Sequence, residues 1–345
     1  MKLKVFAMAT MLATTMVGLA QNTPASQMEK LDRGLIAVKT SSGNFVSWRL
    51  FGTDNDNTTF KVLRNGTSVY SATTKTSFQD TAGNTSSKYQ VVTIQDGEPV
   101  DTSDVVTPWS NSYLQVKLNR PANAKNIKNY EYSYSPNDCS VGDVDGDGQY
   151  EIIVKWDPSN SKDNSHSGRT GNVYLDCYEF DGTQRWRVDL GLNIRAGAHY
   201  TQYLVYDFDK DGKSELICKT APGSIDGAGI YVNQAATDEI IKGHDNTKVF
   251  RNSSGHVMSG AEYLTVFNGE TGKAMHTIWY NPNRAGNMNS VGAHPSSSDF
   301  WGDNYGNRAE RYLACVAYLD GPDAKPSAIM QKGYYTRAYV WAVDW

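Results

Sequence analysis

Two stretches of the chain carry the same spacing of oxygen donors. One reads Asp143-Val144-Asp145-Gly146-Asp147-Gly148-Gln149-Tyr150-Glu151, the other Asp207-Phe208-Asp209-Lys210-Asp211-Gly212-Lys213-Ser214-Glu215. Carboxylates at positions 1, 3 and 5, a glycine at 6 for the sharp bend, a backbone carbonyl at 7 and a Glu at 9 form a cage of hard oxygens. That is the coordination calcium takes. Three aspartates within five residues repel one another unless a cation offsets them, so an ion accounts for the pattern better than two solvated acidic turns do. An EF-hand would place its bidentate Glu at position 12, where these loops hold Val154 and Cys218. Each loop is followed instead by a short apolar run, Ile152-Ile153-Val154 or Leu216-Ile217-Cys218, which predicts a buried strand.

The elements that must position these loops recur with them. The loops start 64 residues apart, and each leads into a strand, an insertion and a second strand ending in a turn. The second strands are Val173–Phe180 before Asp181-Gly182, and Tyr263–Phe267 before Asn268-Gly269. A degenerate third copy runs through Leu313–Leu319 with Asp320-Gly321, Ser327–Met330 and Tyr339–Val343. Such a repeat predicts four-stranded blades and a β-propeller. Propellers close with about 4 to 8 blades, and only about two and a half repeats are present, so the expectation is the N-terminal part of a longer protein. Before the repeat, Leu35–Val38, Phe45–Trp48, Phe60–Leu63 and Lys88–Val92 alternate apolar and polar residues between turns at Arg64-Asn65-Gly66 and Ala82-Gly83-Asn84. This predicts a small β-sandwich similar to a fibronectin type III module.

With 345 residues the chain is long enough for about two domains, and its net charge of -4 offers no basic footprint for nucleic acid or an anionic membrane. Met1–Ala20 places Lys2 and Lys4 before a short apolar run, the pattern of a secretory signal peptide. No later segment approaches the ~20 apolar residues of a membrane span. The expected organisation is a signal peptide over 1–20, a sandwich over 21–105 and the propeller part over 106–345, in a secreted or periplasmic, monomeric protein. Cys139, Cys177, Cys218 and Cys315 lack the spacing of a disulfide scaffold and are expected to be free, Cys177, Cys218 and Cys315 within apolar strands.

Longer motifs surround the loops: Tyr134-Ser135-Pro136-Asn137-Asp138-Cys139, Lys155-Trp156-Asp157-Pro158, Arg195-Ala196-Gly197-Ala198-His199-Tyr200, Gly302-Asp303-Asn304-Tyr305-Gly306-Asn307-Arg308 and Lys332-Gly333-Tyr334-Tyr335-Thr336-Arg337. Through them the chain closely resembles the rhamnogalacturonan endolyases of polysaccharide lyase family 11, over nearly its whole mature length. The resemblance implies an all-β protein in which a fibronectin-like domain precedes an eight-bladed, calcium-loaded propeller. It implies β-elimination at the bond from rhamnose to O4 of galacturonate in pectic rhamnogalacturonan I. Residue by residue, Asn137 and Asp157 match positions that contact substrate. Asp138, Asp143, Asp145, Asp147, Gln149 and Glu151 match calcium ligands, and the spacing adds Asp207, Asp209, Asp211 and Glu215. The basic residues that the family uses for catalysis are expected beyond Trp345.

The residues themselves suit such chemistry. Removing the C5 proton of a uronate requires its carboxylate to be neutralised and an unprotonated base nearby. Asp157 offers hydrogen bonds to sugar hydroxyls, and Trp156 either a stacking face or a packed indole. His199 with Arg195 reads as base and charge neutraliser, or as a satisfied turn histidine and its neighbour. Lys155 and Lys219 occupy equivalent repeat positions, which favours architecture. Asp303, Asn307, Arg308 and Arg311 read as a salt-bridge cluster or a metal site. Two rival functions are a calcium-stabilised propeller that binds pectic glycan without cleaving it, and a glycoside hydrolase, which needs two carboxylates about 5 to 9 Å apart.

Overall fold

The computed structural model describes residues 30–126 and 129–345. The expected signal peptide, Met1–Ala20, lies outside the described residues. The first unit contains β1 (Ile36–Thr40), β2 (Gly43–Ser47), β3 (Thr59–Arg64), β4 (Thr67–Thr73), β5 (Ser77–Asp80), β6 (Tyr89–Gln95) and β7 (Glu98–Thr102). Antiparallel sheets of order β1-β2-β5 and β4-β3-β6-β7 enclose a core of Ala37, Val46, Trp48, Phe60, Val62, Tyr89 and Val91. The period-two alternation puts these residues on the inner faces. Asn65 and Gly66, both at positive φ, make the tight turn between β3 and β4. Reciprocal backbone bonds of Tyr89 with Val106, and of Trp109 with Ala37 and Lys39, extend the unit to Trp109, past the expected boundary at 105.

After the short pair β8 (Ala124–Lys125) and β9 (Glu131–Tyr132) come three consecutive meander sheets. The first holds β10 (Tyr134–Gly142), β11 (Glu151–Pro158), β12 (Tyr174–Tyr178) and β13 (Gln184–Asp189). The second holds β14 (Tyr203–Tyr206), β15 (Glu215–Thr220), β16 (Tyr263–Phe267) and β17 (Ala274–Trp279). The third holds β18 (Tyr312–Ala317), β19 (Ser327–Lys332) and β20 (Tyr339–Asp344). Every pairing within these sheets is antiparallel and in chain order, and β14 adjoins both β10 and β18. The strands of the second sheet therefore present one face to the first sheet and the other to the third. Ile153 and Leu175 pack with Leu216 and Cys218 between the first two sheets, and Ile217 and Leu264 with Ala328 and Met330 between the last two. The four cysteines are free; Cys177 and Cys218 are buried, whereas Cys315 is exposed. Cys315 alternates in β18 with Tyr312, Ala314 and Val316, which pack toward the second sheet, so its thiol lies on the opposite, uncovered face of the third sheet.

Candidate functional site

The two acidic loops each connect the first strand of a sheet to the second. In the first, Asp143 lies buried at the turn's start and its two oxygens accept the amides of Gly146 (2.7 Å) and Gly148 (2.9 Å). Glu151, buried at the start of β11, accepts the amide of Val144 at 2.9 Å. The second loop makes closely similar bonds: Asp207 accepts Asp211 (3.2 Å), one position later than in the first loop, and Gly212 (2.9 Å), and Glu215 accepts Phe208 (2.9 Å). Gly148 and Gly212 take the φ of +93° and +94° that the bend requires.

The result is a cluster of carboxylate oxygens from Asp143, Asp145 and Glu151, all within 4.8 Å of one another, and a matching cluster from Asp207, Asp209 and Glu215. Positions 1, 3 and 9 are thus gathered. Position 5 lies outside both clusters: Asp147 and Asp211 are exposed and accept the amides two residues on, from Gln149 and Lys213, each at 2.8 Å. Gln149 is itself exposed.

Burial, followed by the neighbouring acids Asp145 and Glu179, pushes Glu151 up to about 7. Burial, then Asp209, Asp207 and Asp211, pushes Glu215 up to about 8. Carboxylates so raised are waiting for a positive charge. Arg185 pairs with Asp145 and with Glu179, which supplies part of that charge to the first loop. The donor set is all oxygen, hard and anionic, and fits calcium.

Asp138 is not part of the first loop's cluster. β10 carries a register shift between Pro136 and Cys139, and within this bulge Asp138 turns to the ammonium of Lys155 on β11. Asp157 lies beyond Lys155 on the same strand; burial raises its carboxyl above the usual value although Lys155 opposes this, and its Oδ1 is buried without a hydrogen-bond partner among the described residues. Asn137 is exposed on the bulge. The structure thereby brings Asn137, Asp138, Lys155 and Asp157 to one end of the first sheet, away from the Gly142–Glu151 end that carries the loop.

Other sequence candidates have structural duties. Trp156 is packed, its indole N–H bonded to Asp176 at 2.7 Å, and offers no stacking face. Arg195 is buried and its guanidinium donates to the carbonyls of Lys162, Asp163, His166, Gly168 and Gly255, which leaves it no role as a charge neutraliser beside His199. His199 is exposed. Asp303 accepts the amides of Tyr305, Gly306 and Arg308, and Arg311 pairs with Asp163 at 2.9 Å, so this cluster ties loops together.

A buried ionic network went unanticipated. Lys219 lies 3.1 Å from Glu262 and 3.3 Å from Glu310, Arg284 is 3.1 Å from Glu310, and Lys332 is 2.6 Å from Glu262. Burial opposes ionisation of Glu262, but Arg284, Lys332 and Lys219 outweigh it and hold the carboxyl well below its ordinary value. These residues lie far apart in sequence and are joined by the fold alone: Lys219 from β15, Glu262 just before β16, Arg284 and Glu310 from the β17–β18 connection and Lys332 from β19. The equivalence of Lys155 and Lys219 was the one signal in the sequence, and each does meet an acid.

Two family models match the chain: "Rhamnogalacturonan I lyases beta-sheet domain" over residues 26–109 and "Rhamnogalacturonan lyase family 11, C-terminal domain" over residues 113–345. Among curated relatives, the rhamnogalacturonan endolyase YesW of Bacillus subtilis is 48% identical over 321 residues, covering 93% of this chain and 48% of the relative. The rhamnogalacturonan exolyase YesX of the same organism is 47% identical over 320 residues, covering 92% and 48%. Of solved structures, YesX superposes with a TM-score of 0.83 at 46% identity, over 94% of this chain and 50% of that one. The rhamnogalacturonan lyase PL11 of Bacillus licheniformis superposes with a TM-score of 0.83 at 48% identity, over 94% and 52%. The chain spans about half the length of the curated relatives it matches. With both units matched in order and the second model alone covering residues 113–345, this chain belongs to rhamnogalacturonan lyase family 11.

Proposed function

We propose that the protein is an exported, monomeric rhamnogalacturonan lyase that cleaves the bond from rhamnose to O4 of galacturonate in rhamnogalacturonan I by β-elimination. A base takes the proton from C5 of the uronate, the electron pair forms the C4–C5 double bond, and the rhamnose-terminated chain leaves with its oxygen. The observation that carries this reading is the continuity of the likeness: 48% identity over 93% of the chain, through the sandwich and the repeats alike. Internal cutting is the proposed mode. Asn137 and Asp157 are the proposed substrate contacts, and the basic groups of the reaction belong to the greater length that the relatives possess.

The three meander sheets with adjoining first strands support the reading of blades in a calcium-bound propeller, eight in the complete protein. Asp143, Asp145 and Glu151, and Asp207, Asp209 and Glu215, are the proposed calcium ligands, with Asp147, Gln149 and Asp211 as further donors. Asp138, held by Lys155, is proposed as a ligand on the resemblance alone. Bound calcium supplies the charge that these carboxylates lack. Unsaturated product from rhamnogalacturonan, and none from homogalacturonan, tests the proposal. The engagement of Arg195 with backbone carbonyls favours the second reading, glycan binding without cleavage, for the chain taken alone; binding with no unsaturated product would identify it.

A further inference from the structure

At the ends of the sheets opposite the acidic loops, in connections that follow β11, β15 and β17, the loop segments 164–167, 252–258 and 304–305 line an open cavity of about 380 Å³ that shares no residue with the Asn137–Asp157 group. That volume falls within the range of small-molecule sites. The walls are held from behind. Arg195 ties the carbonyls of His166, Gly168 and Gly255 together, the amide of Gly168 donates to Ser254 (2.8 Å), and Asn164 donates to the carbonyl of Gly306 (3.0 Å).

The chemistry of the lining is selective. No Lys, Arg, Asp or Glu contributes to it. The hydroxyls of Ser167, Ser254 and Tyr305 and the amide of Asn304 line it without a hydrogen bond to any other described side chain or backbone group, and Met258 with the Tyr305 ring adds an apolar surface. His256, also in the wall, is held below its ordinary value by burial and then by the charge of Arg195, so its imidazole stays neutral at neutral pH.

Hydroxyl and amide groups that both donate and accept, arranged beside one aromatic ring, complement a ring of hydroxyls with an apolar face. A uronate would find no Lys or Arg side chain in the lining to pair with its carboxylate, since the guanidinium of Arg195 behind the wall is taken up by backbone carbonyls. We infer that this cavity is a second carbohydrate site, which takes a neutral sugar residue and discriminates against a uronate. Tyr305 provides the stacking face, and Ser167, Ser254 and Asn304 provide the hydrogen bonds. The site is independent of where or whether the polymer is cut.

The test is ligand-detected NMR of the 345-residue chain in calcium-containing buffer, with methyl α-L-rhamnoside, methyl β-D-galactoside and methyl α-D-galacturonate as separate probes. Saturation transfer to one or both neutral glycosides, and at least about tenfold weaker binding of the uronate, is expected. The neutral glycoside that binds identifies the source as backbone rhamnose or a galactose branch. Tyr305→Ala should weaken that binding roughly tenfold, while Tyr305→Phe keeps most of it; Tyr305→Phe leaves the thermal midpoint unchanged, and Tyr305→Ala, which removes a ring 39% exposed, lowers it slightly but keeps the protein folded. No binding of either neutral glycoside, uronate binding of equal strength, or neutral binding untouched by Tyr305→Ala in a folded protein would each overturn the inference.

Discussion

The backbone amide of Ser214 donates to the carbonyl of Asp143 at 2.7 Å, so the end of the second acidic loop is bonded to the first residue of the other. The two candidate cation sites therefore form one mechanical unit between the first and second sheets. The sandwich joins it, since the amide of Asp32 donates to Gly148 at 2.8 Å and Arg49 lies 4.8 Å from the ring centre of Tyr150.

Removing calcium should destabilise the whole unit. At a free-ion concentration about a hundredfold above Kd, each occupied site adds about 2.7 kcal/mol. Calorimetry of the chain in calcium and in chelator should show a large fall in unfolding temperature. Asp207→Ala, which removes an acceptor for two backbone amides, should lower the midpoint and reduce the remaining calcium effect.

Chelated protein should also show a pH dependence of a definite sign. Glu151 sits at about 7 and Glu215 at about 8, above the free-Glu value of 4.5. The folded state binds these protons more tightly than the unfolded chain, so the stability they contribute is complete below 4.5 and is lost as pH rises through 7 and 8. Denaturant midpoints in chelator should fall between about pH 5 and about pH 9. In saturating calcium, which favours the ionised carboxylates, this fall should vanish or reverse.

The contact between loops leaves no space at Gly269. A Cβ there would stand 1.9 Å from the carbonyl oxygen of Ser214 and 3.0 Å from Val144. Gly269→Ala should cost about 1–3 kcal/mol, measured by chemical denaturation. A neutral result would mean that the Ser214 turn gives way easily.

Breaking the buried network should be costlier than its surface counterparts. Glu262→Gln leaves Lys332, Lys219 and Arg284 facing one another without their shared anion. The expected loss is about 3–5 kcal/mol. Lys213→Ala, which removes only an exposed pair with Glu270, should cost less than about 1 kcal/mol.

Local pattern made much of this architecture legible. The strands Tyr174–Tyr178, Tyr263–Phe267 and Ser327–Lys332 were readable from apolar runs, and the loops from their acid spacing. β4, β5 and β7 were not anticipated, although Asp96-Gly97, both at positive φ, is a hairpin signal that marks the β6–β7 turn. The bulge that directs Asp138 to Lys155 and the clamp made by Arg195 were illegible because each depends on which carbonyl or carboxylate the fold brings near. Nothing in the residue type of Arg195 tells a backbone clamp from a substrate-binding cation. The same holds for Glu262, whose three cationic partners come from β15, from β19 and from the loop that follows β17.

The most direct measurement is the absorbance of unsaturated uronate ends on rhamnogalacturonan, with and without chelator, for this chain and for a form extended to the full length of the relatives. Product is expected from the extended form in calcium, with none from homogalacturonan, loss of product on chelation, and a marked fall with Asp157→Ala. Products with plain reducing ends and no double bond, or no product from the extended, calcium-loaded form, would contradict the proposed lyase activity.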